Sequence, residues 1–245
     1  MKINFATPLS FNSLNIYREQ GINFPEDFTC NTKDKNQTPY NISIYNNKHM
    51  GYYETRFINM DNSQLEAAQE MMIWPEIDYM FIDNMLTYNE CRGKGLGTCM
   101  HLTNIIEMME NNIEKIELRA VPSAIPFHIK CGFKPDMNLE RENDLKNIRA
   151  IAYNKNPELV QYSQDAQNLL KTRLNPEAKS KIANKILYNY TKKAVKIMSK
   201  KEQQYLFTHN INMVLTKDDV IKHKNFYNKL FDKFGIDYQI SDSAC

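Results

Sequence analysis

The residues most suited to chemistry form a glycine-rich loop at positions 91–98, Cys-Arg-Gly-Lys-Gly-Leu-Gly-Thr. Three of the seven glycines of the 245-residue chain lie here, and Arg92 and Lys94 add two positive charges. The N–H groups and the dipole at a helix N-terminus attract anions. Glycine permits positive φ and removes the Cβ atoms that would block a phosphate. The loop therefore predicts a binding site for a diphosphate.

The spacing of the glycines narrows the choice of diphosphate ligand. A dinucleotide fingerprint that starts at Gly93 would need glycine at position 98, which is Thr98. The G-x-x-x-x-G-K-[ST] spacing of a P-loop does not occur in the sequence. Arg92-x-x-Gly95-x-Gly97 instead resembles the R/Q-x-x-G-x-G/A signature of the GNAT acetyltransferase superfamily, in which this loop holds the pyrophosphate of acetyl-CoA.

A second motif lies downstream of the loop. The segment Phe127-His128-Ile129-Lys130-Cys131-Gly132-Phe133 begins 35 residues after Arg92 and is similar to the F-Y-x-K-x-G-F segment of the same superfamily. The resemblance covers about residues 40–136 and adds a sixth strand at Ile211–Leu215. It implies an α/β fold with a mixed sheet and a helical insertion before the last strand. It also implies direct transfer of an acetyl group from acetyl-CoA to an amine, without a metal ion.

The resemblance assigns the residues that bind acetyl-CoA. In the superfamily the pantetheine arm is bound by main-chain groups of the strand before the loop, and the matching residues are Met85, Leu86 and Thr87. The positively charged loop residues expected at the pyrophosphate are Arg92 and Lys94. The loop amides expected to bind it belong to Gly93, Lys94, Gly95, Leu96, Gly97 and Thr98.

The candidate catalytic residues match the superfamily less closely than the loop does. His128 stands where the superfamily has a tyrosine that protonates the leaving thiolate, so it either replaces the tyrosine or signals altered chemistry. Val121 stands where many members have asparagine. Asp83 is the first candidate for the base that deprotonates the amine, and Glu54 is its rival. Either carboxylate could equally be an ordinary salt-bridge residue.

These departures keep a second function open. A non-catalytic acyl-CoA-binding module, with the helical insertion as a partner-binding arm, would have the same loop. The sequence does not identify the amine acceptor, which could be a small molecule or a protein.

Periodicity predicts the elements that must position these residues. A β-hairpin over Asn41–Tyr45 and Met50–Ile58 precedes a helix over Asp61–Met72, which we expect to form one wall of the acceptor site. The expected elements around the loop are a strand at Tyr79–Tyr88, a helix at Thr98–Met109, a strand at Lys115–Val121 and a helix at Ser123–Cys131. For residues 1–40 we expect at most one short strand and a helical turn.

We expect three segments: an acetyl-CoA-binding core at 1–138, a helical insertion at 139–205 broken at Pro157 and Pro176, and a completing strand and helix at 206–245. Thr216-x-x-Asp219 resembles a capping box in front of the last helix. The apolar residues expected to be buried by that helix are Val220, Tyr227, Leu230, Phe231 and Phe234.

The segment Ala178–Lys201 carries eight lysines and no acidic residue. The residues expected on its apolar face are Ile182, Ile186, Tyr190 and Ile197. The lysines indicate either a solvated helix face or a contact surface for a polyanion such as nucleic acid, an acidic protein or an anionic membrane.

The composition of the chain argues against several other classes of protein. The net charge of +2 gives no overall attraction to anions. Five scattered cysteines without a C-x-x-C pair disfavour a disulfide framework and a structural zinc site. No signal-peptide h-region is evident, and no apolar stretch approaches the roughly 18 residues of a membrane span. We therefore expect a soluble protein of the cytoplasm.

Overall fold

The structure is a computed structural model that describes residues 9–11, 14–16, 28–47 and 52–241. The chain divides into two compact units. The first comprises Met1–Ile116 and Thr216–Cys245, and the second comprises Glu117–Leu215. Both contain strands and helices, so the predicted mixed α/β class is confirmed.

The first unit is built on an antiparallel sheet. A separate hairpin joins β1 (Leu9–Phe11) and β2 (Leu14–Ile16). The main sheet runs in sequence order through β3 (Phe28–Lys33), β4 (Pro39–Asn47), β5 (Tyr52–Asn59), β6 (Leu65–Trp74) and β7 (Tyr79–Thr87). The expectation of at most one strand before residue 40 was therefore wrong. The predicted hairpin is confirmed as β4 and β5, although Met50 lies outside the described residues.

The predicted helix at 61–72 was also wrong, because Leu65–Trp74 form β6. The inward-facing residues of β6 alternate: Ala67, Gln69, Met71 and Ile73. Polar Gln69 hid this period of two from the sequence. Its amide is buried because it exchanges hydrogen bonds with Asn104, at 2.6 and 3.0 Å. The expected helical wall of an acceptor site does not exist at this position.

The glycine loop leads into α1 (Leu96–Glu110), which contacts β6 and β7. After α1 the chain enters β8 (Lys115–Ala120). At its start the N–H groups of Glu114 and Lys115 donate to the carbonyl oxygen of Asp78, at 2.8 and 3.3 Å. These elements match the predicted strand–loop–helix–strand order.

The predicted last helix is divided at His223 into α7 (Lys217–Lys222) and α8 (Lys224–Lys233), both of which contact α1. The Thr216 hydroxyl accepts a hydrogen bond from the Asp219 N–H at 3.2 Å, so this helix cap is confirmed. The buried residues are Val220, Tyr227, Phe231 and Phe234, whereas Leu230 is only half-buried.

The second unit is mainly helical. Its helices are α2 (Ile125–Lys130), α3 (Glu142–Ala152), α4 (Val160–Lys171), α5 (Pro176–Ile197) and α6 (Lys200–Gln203). The breaks expected at Pro157 and Pro176 are present. Its strand β9 (Lys134–Pro135) pairs antiparallel with β10 (Ile211–Thr216), which confirms the predicted late strand.

The lysine-rich segment is mostly α5. Ile186 and Tyr190 are buried as expected, but Ile182 is exposed because the buried face runs through Ala183 and Leu187 instead. Two lysines lie near carboxylates: Lys181 Nζ is 2.7 Å from Glu177, and Lys193 Nζ is 3.6 Å from Glu158. These pairs offset part of the positive charge, and the polyanion contact gains no support from the structure.

Among the described residues, no helix combines the length and the apolar character needed to cross a membrane.

Candidate functional site

Between β7 and α1, the chain passes through a short 3₁₀ turn, Asn89–Cys91, and then through the glycines. Gly93 has φ +84° and Gly95 has φ +106°. Both values lie in the left-handed region, which residues with a Cβ rarely adopt. The local conformation therefore depends on glycine at both positions.

Some loop amides close the turn. The Lys94 N–H donates to the Cys91 carbonyl at 3.4 Å, and the Thr98 N–H donates to the Gly95 carbonyl at 2.9 Å. Lys94 and Thr98 therefore shape the loop through their main chain. We expected the amides of Lys94 and Thr98 to bind the pyrophosphate, but these hydrogen bonds within the loop already engage them.

Other loop amides take no part in the hydrogen bonds of the loop. Within the described part of the chain, the N–H groups of Gly93, Gly95, Leu96 and Gly97 have no hydrogen-bond acceptor. They lie at the N-terminus of a 15-residue helix, where the helix dipole favours an anion. Four N–H donors at this position can bind the oxygens of a diphosphate.

The reason for glycine differs between the two positions. A Cβ on Gly95 would lie 2.7 Å from Cε1 of Phe234 and 3.6 Å from the main-chain nitrogen of Lys35. It would thus collide with the protein, a requirement for glycine that the sequence did not predict. A Cβ on Gly93 would meet nothing within 4 Å.

Lys94 forms an ion pair that the sequence did not predict. Its Nζ donates to Oε2 of Glu66 at 2.7 Å, and Glu66 is buried. The same carboxylate accepts hydrogen bonds from the Tyr40 hydroxyl at 2.6 Å and from the Asn59 amide at 2.8 Å. Glu66 was missed because residues 61–72 were assigned to a helix.

Opposing effects set the charge of the Glu66 cluster, which consists of Glu66, Lys94, Tyr40 and Asn59. Burial raises the pKa of Glu66. Hydrogen bonds from Asn59, Lys94 and Tyr40 lower it by more than burial raises it, so the pKa falls to about 2. The hydrogen bond to Glu66 raises the pKa of Lys94. Burial, together with the neighbouring Glu66 carboxylate, raises the pKa of Tyr40. The cluster therefore holds a carboxylate and an ammonium at neutral pH, with Tyr40 as a neutral donor.

Arg92 is the other basic residue of the loop. Its side chain is exposed, and its Nε donates to the Thr87 carbonyl at 3.4 Å. Among the described residues, its guanidinium forms no ion pair with a carboxylate. Arg92 therefore carries a positive charge that remains available to an anion.

The expected pantetheine strand is the end of β7. Met85, Leu86 and Thr87 pair with Gln69, Ala68 and Ala67 of β6. These residues therefore lie in regular antiparallel register directly before the loop.

Asp83 lies at an irregularity of β7. Asn84 pairs with Glu70 and Ile82 pairs with Met71, so Asp83 is the extra residue of a bulge. Asp83 and Asn84 are both exposed as a result. Bulges redirect side chains and are common beside active sites, and nothing in the sequence pattern predicted this one.

Glu54, the rival base, is engaged by a neighbour on its own strand. Its two carboxylate oxygens accept hydrogen bonds from Nε and a terminal nitrogen of Arg56, at 2.8 and 2.7 Å. Both oxygens of Glu54 are therefore already occupied by one arginine.

His128 belongs to the second unit. It is 6% exposed, and its ring lies against Phe127 and Phe133, with centroids 5.1 and 5.9 Å away. Burial lowers the pKa of His128 to about 3. At pH 7 the ring is therefore neutral. The motif's Gly132 has φ +99° just after α2, as expected for a residue that ends a helix.

Val121 lies just beyond the C-terminal end of β8 and is half exposed. Its apolar side chain supplies no hydrogen-bonding group where the superfamily often has asparagine. Among the described residues, no group of three or more His, Cys, Asp or Glu is arranged to hold a metal ion.

The chain is similar to known proteins at the level of solved structures. No protein-family model matches the chain, and no curated protein matches it. Similar solved structures include GCN5 from Tetrahymena, with 16% identity and a TM-score of 0.33 over 35% of this chain and 52% of that one. A nourseothricin acetyltransferase has 13% identity and a TM-score of 0.32 over 39% of this chain and 57% of that one.

A third similar structure is spermidine N-acetyltransferase from Vibrio cholerae in complex with CoA and spermine. It has 17% identity and a TM-score of 0.34 over 37% of this chain and 56% of that one. The chain thus spans about half the length of these solved structures. Two of the three are acetyltransferases by name. At this identity and overlap, the similarity assigns no substrate, partner or activity to the chain.

Proposed function

We propose that the chain is an N-acetyltransferase that moves an acetyl group from acetyl-CoA directly to an amine. The observation that supports this most is the set of four N–H donors without acceptors at Gly93, Gly95, Leu96 and Gly97. They lie at the N-terminus of α1, in the loop whose sequence resembles the pyrophosphate loop of GNAT acetyltransferases. Such donors fit the diphosphate of CoA.

The proposal divides the binding of acetyl-CoA between two adjacent elements. The diphosphate lies on the four loop amides, with the Arg92 guanidinium as the nearby formal charge. The pantetheine arm follows the main chain of residues 85–87 at the end of β7. The side chains of Met85, Leu86 and Thr87 matter little for this role, because main-chain groups make the hydrogen bonds.

The reaction has one bond formed and one bond broken. The neutral amine attacks the thioester carbonyl carbon, the new C–N bond forms, and the C–S bond breaks. The nitrogen then loses one proton to give the neutral amide, and CoA leaves as a thiolate that takes up one proton. The ammonium form of the amine must first lose its proton, which requires a base. Asp83 is our candidate, acting directly or through water, because it is exposed at the bulge whereas both Glu54 oxygens accept hydrogen bonds from Arg56.

His128 has a more restricted role in this proposal than the superfamily tyrosine. A ring that is neutral at pH 7 rarely carries the proton that a thiolate needs. It can still donate one N–H hydrogen bond. We therefore assign His128 to hydrogen bonding of the leaving sulfur, with the proton coming from water.

The burial and low pKa of His128 also favour a second candidate, a non-catalytic acyl-CoA-binding module. Two measurements separate the candidates: mass spectrometry for CoA that copurifies with the protein, and thiol release from acetyl-CoA with a panel of amines. Transferase activity predicts bound CoA and thiol release that depends on one amine class. Bound CoA without thiol release for any amine would favour the binding module, and an absence of CoA binding would contradict both.

The cytoplasm remains our proposed compartment. Among the described cysteines, Cys91 and Cys99 are buried and have free thiols. Free thiols are typical of a reducing compartment, where acetyl-CoA is also available to an enzyme. Alkylation of the protein directly after cell lysis, followed by mass spectrometry, tests whether these thiols are reduced in the cell.

A further inference from the structure

Lys94 is held at both ends by residues outside the glycine loop. Its carbonyl oxygen accepts a hydrogen bond from the Lys35 N–H at 3.0 Å, and its Nζ donates to Glu66 Oε2 at 2.7 Å. The Lys94 side chain is 27% exposed and that of Glu66 is 5% exposed. The ammonium of the loop's central lysine is thus directed to an interior carboxylate.

Glu66 is itself held by two other strands. Tyr40 of β4 donates its hydroxyl to Oε2 at 2.6 Å, and Asn59, the last residue of β5, donates its amide to Oε1 at 2.8 Å. The Glu66 carbonyl oxygen also accepts a hydrogen bond from the N–H of Tyr88, at the entry to the loop, at 3.1 Å. The carboxylate therefore has a fixed position relative to β4, β5 and the loop.

We propose that Glu66 is a positioning residue of the diphosphate site, and that Lys94 braces the loop and does not bind the phosphates. The proposal rests on the proposed function, in which this loop binds CoA. Movement of the Lys94 ammonium away from Glu66 would leave a buried carboxylate without its cation, which is strongly unfavourable. Lys94 therefore stays on Glu66 when the ligand binds, and Arg92 supplies the positive charge.

The substitution Glu66→Gln distinguishes this role from the opposite one by the sign of its effect. If Lys94 were a phosphate ligand held back by Glu66, loss of the carboxylate would release the ammonium and strengthen CoA binding. If Glu66 positions the loop, the amide has only one oxygen for the four donors Tyr40, Asn59, Lys94 and Cys91, and the loop loosens. CoA affinity then falls by about tenfold, although the site has become more positive.

Calorimetric titration of the full chain with CoA tests this difference. The variants are Glu66→Gln, Lys94→Met and Arg92→Gln, with Glu177→Gln as a control that removes the same charge from an exposed ion pair of α5. We expect Glu66→Gln and Lys94→Met to weaken CoA binding about tenfold and to keep the salt dependence of the wild type. Arg92→Gln should weaken binding and reduce the salt dependence, because it removes a solvent-exposed charge from the ligand's surroundings.

Hydrogen exchange in the absence of ligand separates this proposal from the proposed function. The amides of Lys94, Thr98 and Cys99 donate to carbonyls within the loop, so their exchange reports its order. They should exchange faster in Glu66→Gln and Lys94→Met than in the wild type or the control. If Glu66→Gln does not fold, the Lys94→Met variant provides the result, because the Lys94 side chain is partly exposed.

The outcomes are distinct. Tighter CoA binding by Glu66→Gln, or wild-type loop exchange in both variants, would overturn the positioning role. If the protein binds no CoA but the variants still show faster hydrogen exchange in the loop, the proposed function is overturned. Glu66 then remains the residue that positions the loop.

Discussion

The ring of Phe234 lies 2.7 Å from the point where a Cβ on Gly95 would be. Phe234 follows α8, more than a hundred residues after the loop, and is buried. The glycine that precedes α1 is therefore required by a contact with the C-terminal part of the first unit, as well as by its φ of +106°. The loop keeps its shape because the protein packs closely against it.

This contact predicts different costs for alanine at the two loop glycines. Gly95→Ala combines positive φ with a collision and should lower the free energy of unfolding by about 2–4 kcal/mol. Gly93→Ala has positive φ but open space, so we expect about 1–2 kcal/mol. Urea denaturation measures both. Adding Phe234→Leu to Gly95→Ala should recover part of the loss, and equal costs at the two glycines would contradict the account.

A second prediction concerns acid stability. The pKa of Glu66 is lowered from 4.5 to about 2 in the folded protein, so its stabilising contribution is complete above pH 4.5. It is lost as the pH falls from 4.5 towards 2, because the unfolded chain binds the proton first. Unfolding measured across this range should show a weaker pH dependence for Glu66→Gln than for the wild type. Identical slopes would mean that Glu66 is not held as an ionised carboxylate.

The two parts of the site differ in how far they could be predicted from sequence. The loop, α1 and β7 follow from local signals: three glycines, an apolar stripe and a buried apolar run. The Glu66 cluster joins Tyr40, Asn59 and Lys94 across three strands and the loop, and such long-range partners leave no pattern in a single sequence. The period of β6 was hidden because its inward-facing Gln69 is polar, and the bulge at Asp83 depends on strand register.

The third prediction concerns His128. Since burial lowers the pKa of His128 to about 3, no inflection near pH 6.5 in the pH–rate profile should come from this ring. If its N–H bonds the leaving sulfur, His128→Ala should lower kcat more than it weakens acetyl-CoA binding. His128→Tyr should retain activity, because tyrosine also donates a hydrogen bond. Full activity of His128→Ala would show that the residue takes no part in transfer.

The fourth prediction compares the two candidate bases. Asp83→Asn should lower the transfer rate, with the largest loss at low pH, where more of the amine is protonated and needs a base. Glu54→Gln should change the rate less, since Arg56 already engages both oxygens of Glu54. Steady-state rates across pH for both variants decide between them. A profile of Asp83→Asn that overlays the wild type, with a loss in Glu54→Gln, would make Glu54 the base.

The central claim is that the loop between β7 and α1 binds the diphosphate of CoA. The most direct measurement is the backbone amide NMR spectrum of the protein during titration with CoA. We predict that the largest shifts occur at the amides without acceptors, Gly93, Gly95, Leu96 and Gly97, and that pantetheine, which lacks the diphosphate, does not reproduce them. Saturable CoA binding that leaves these four amides unshifted would contradict the claim.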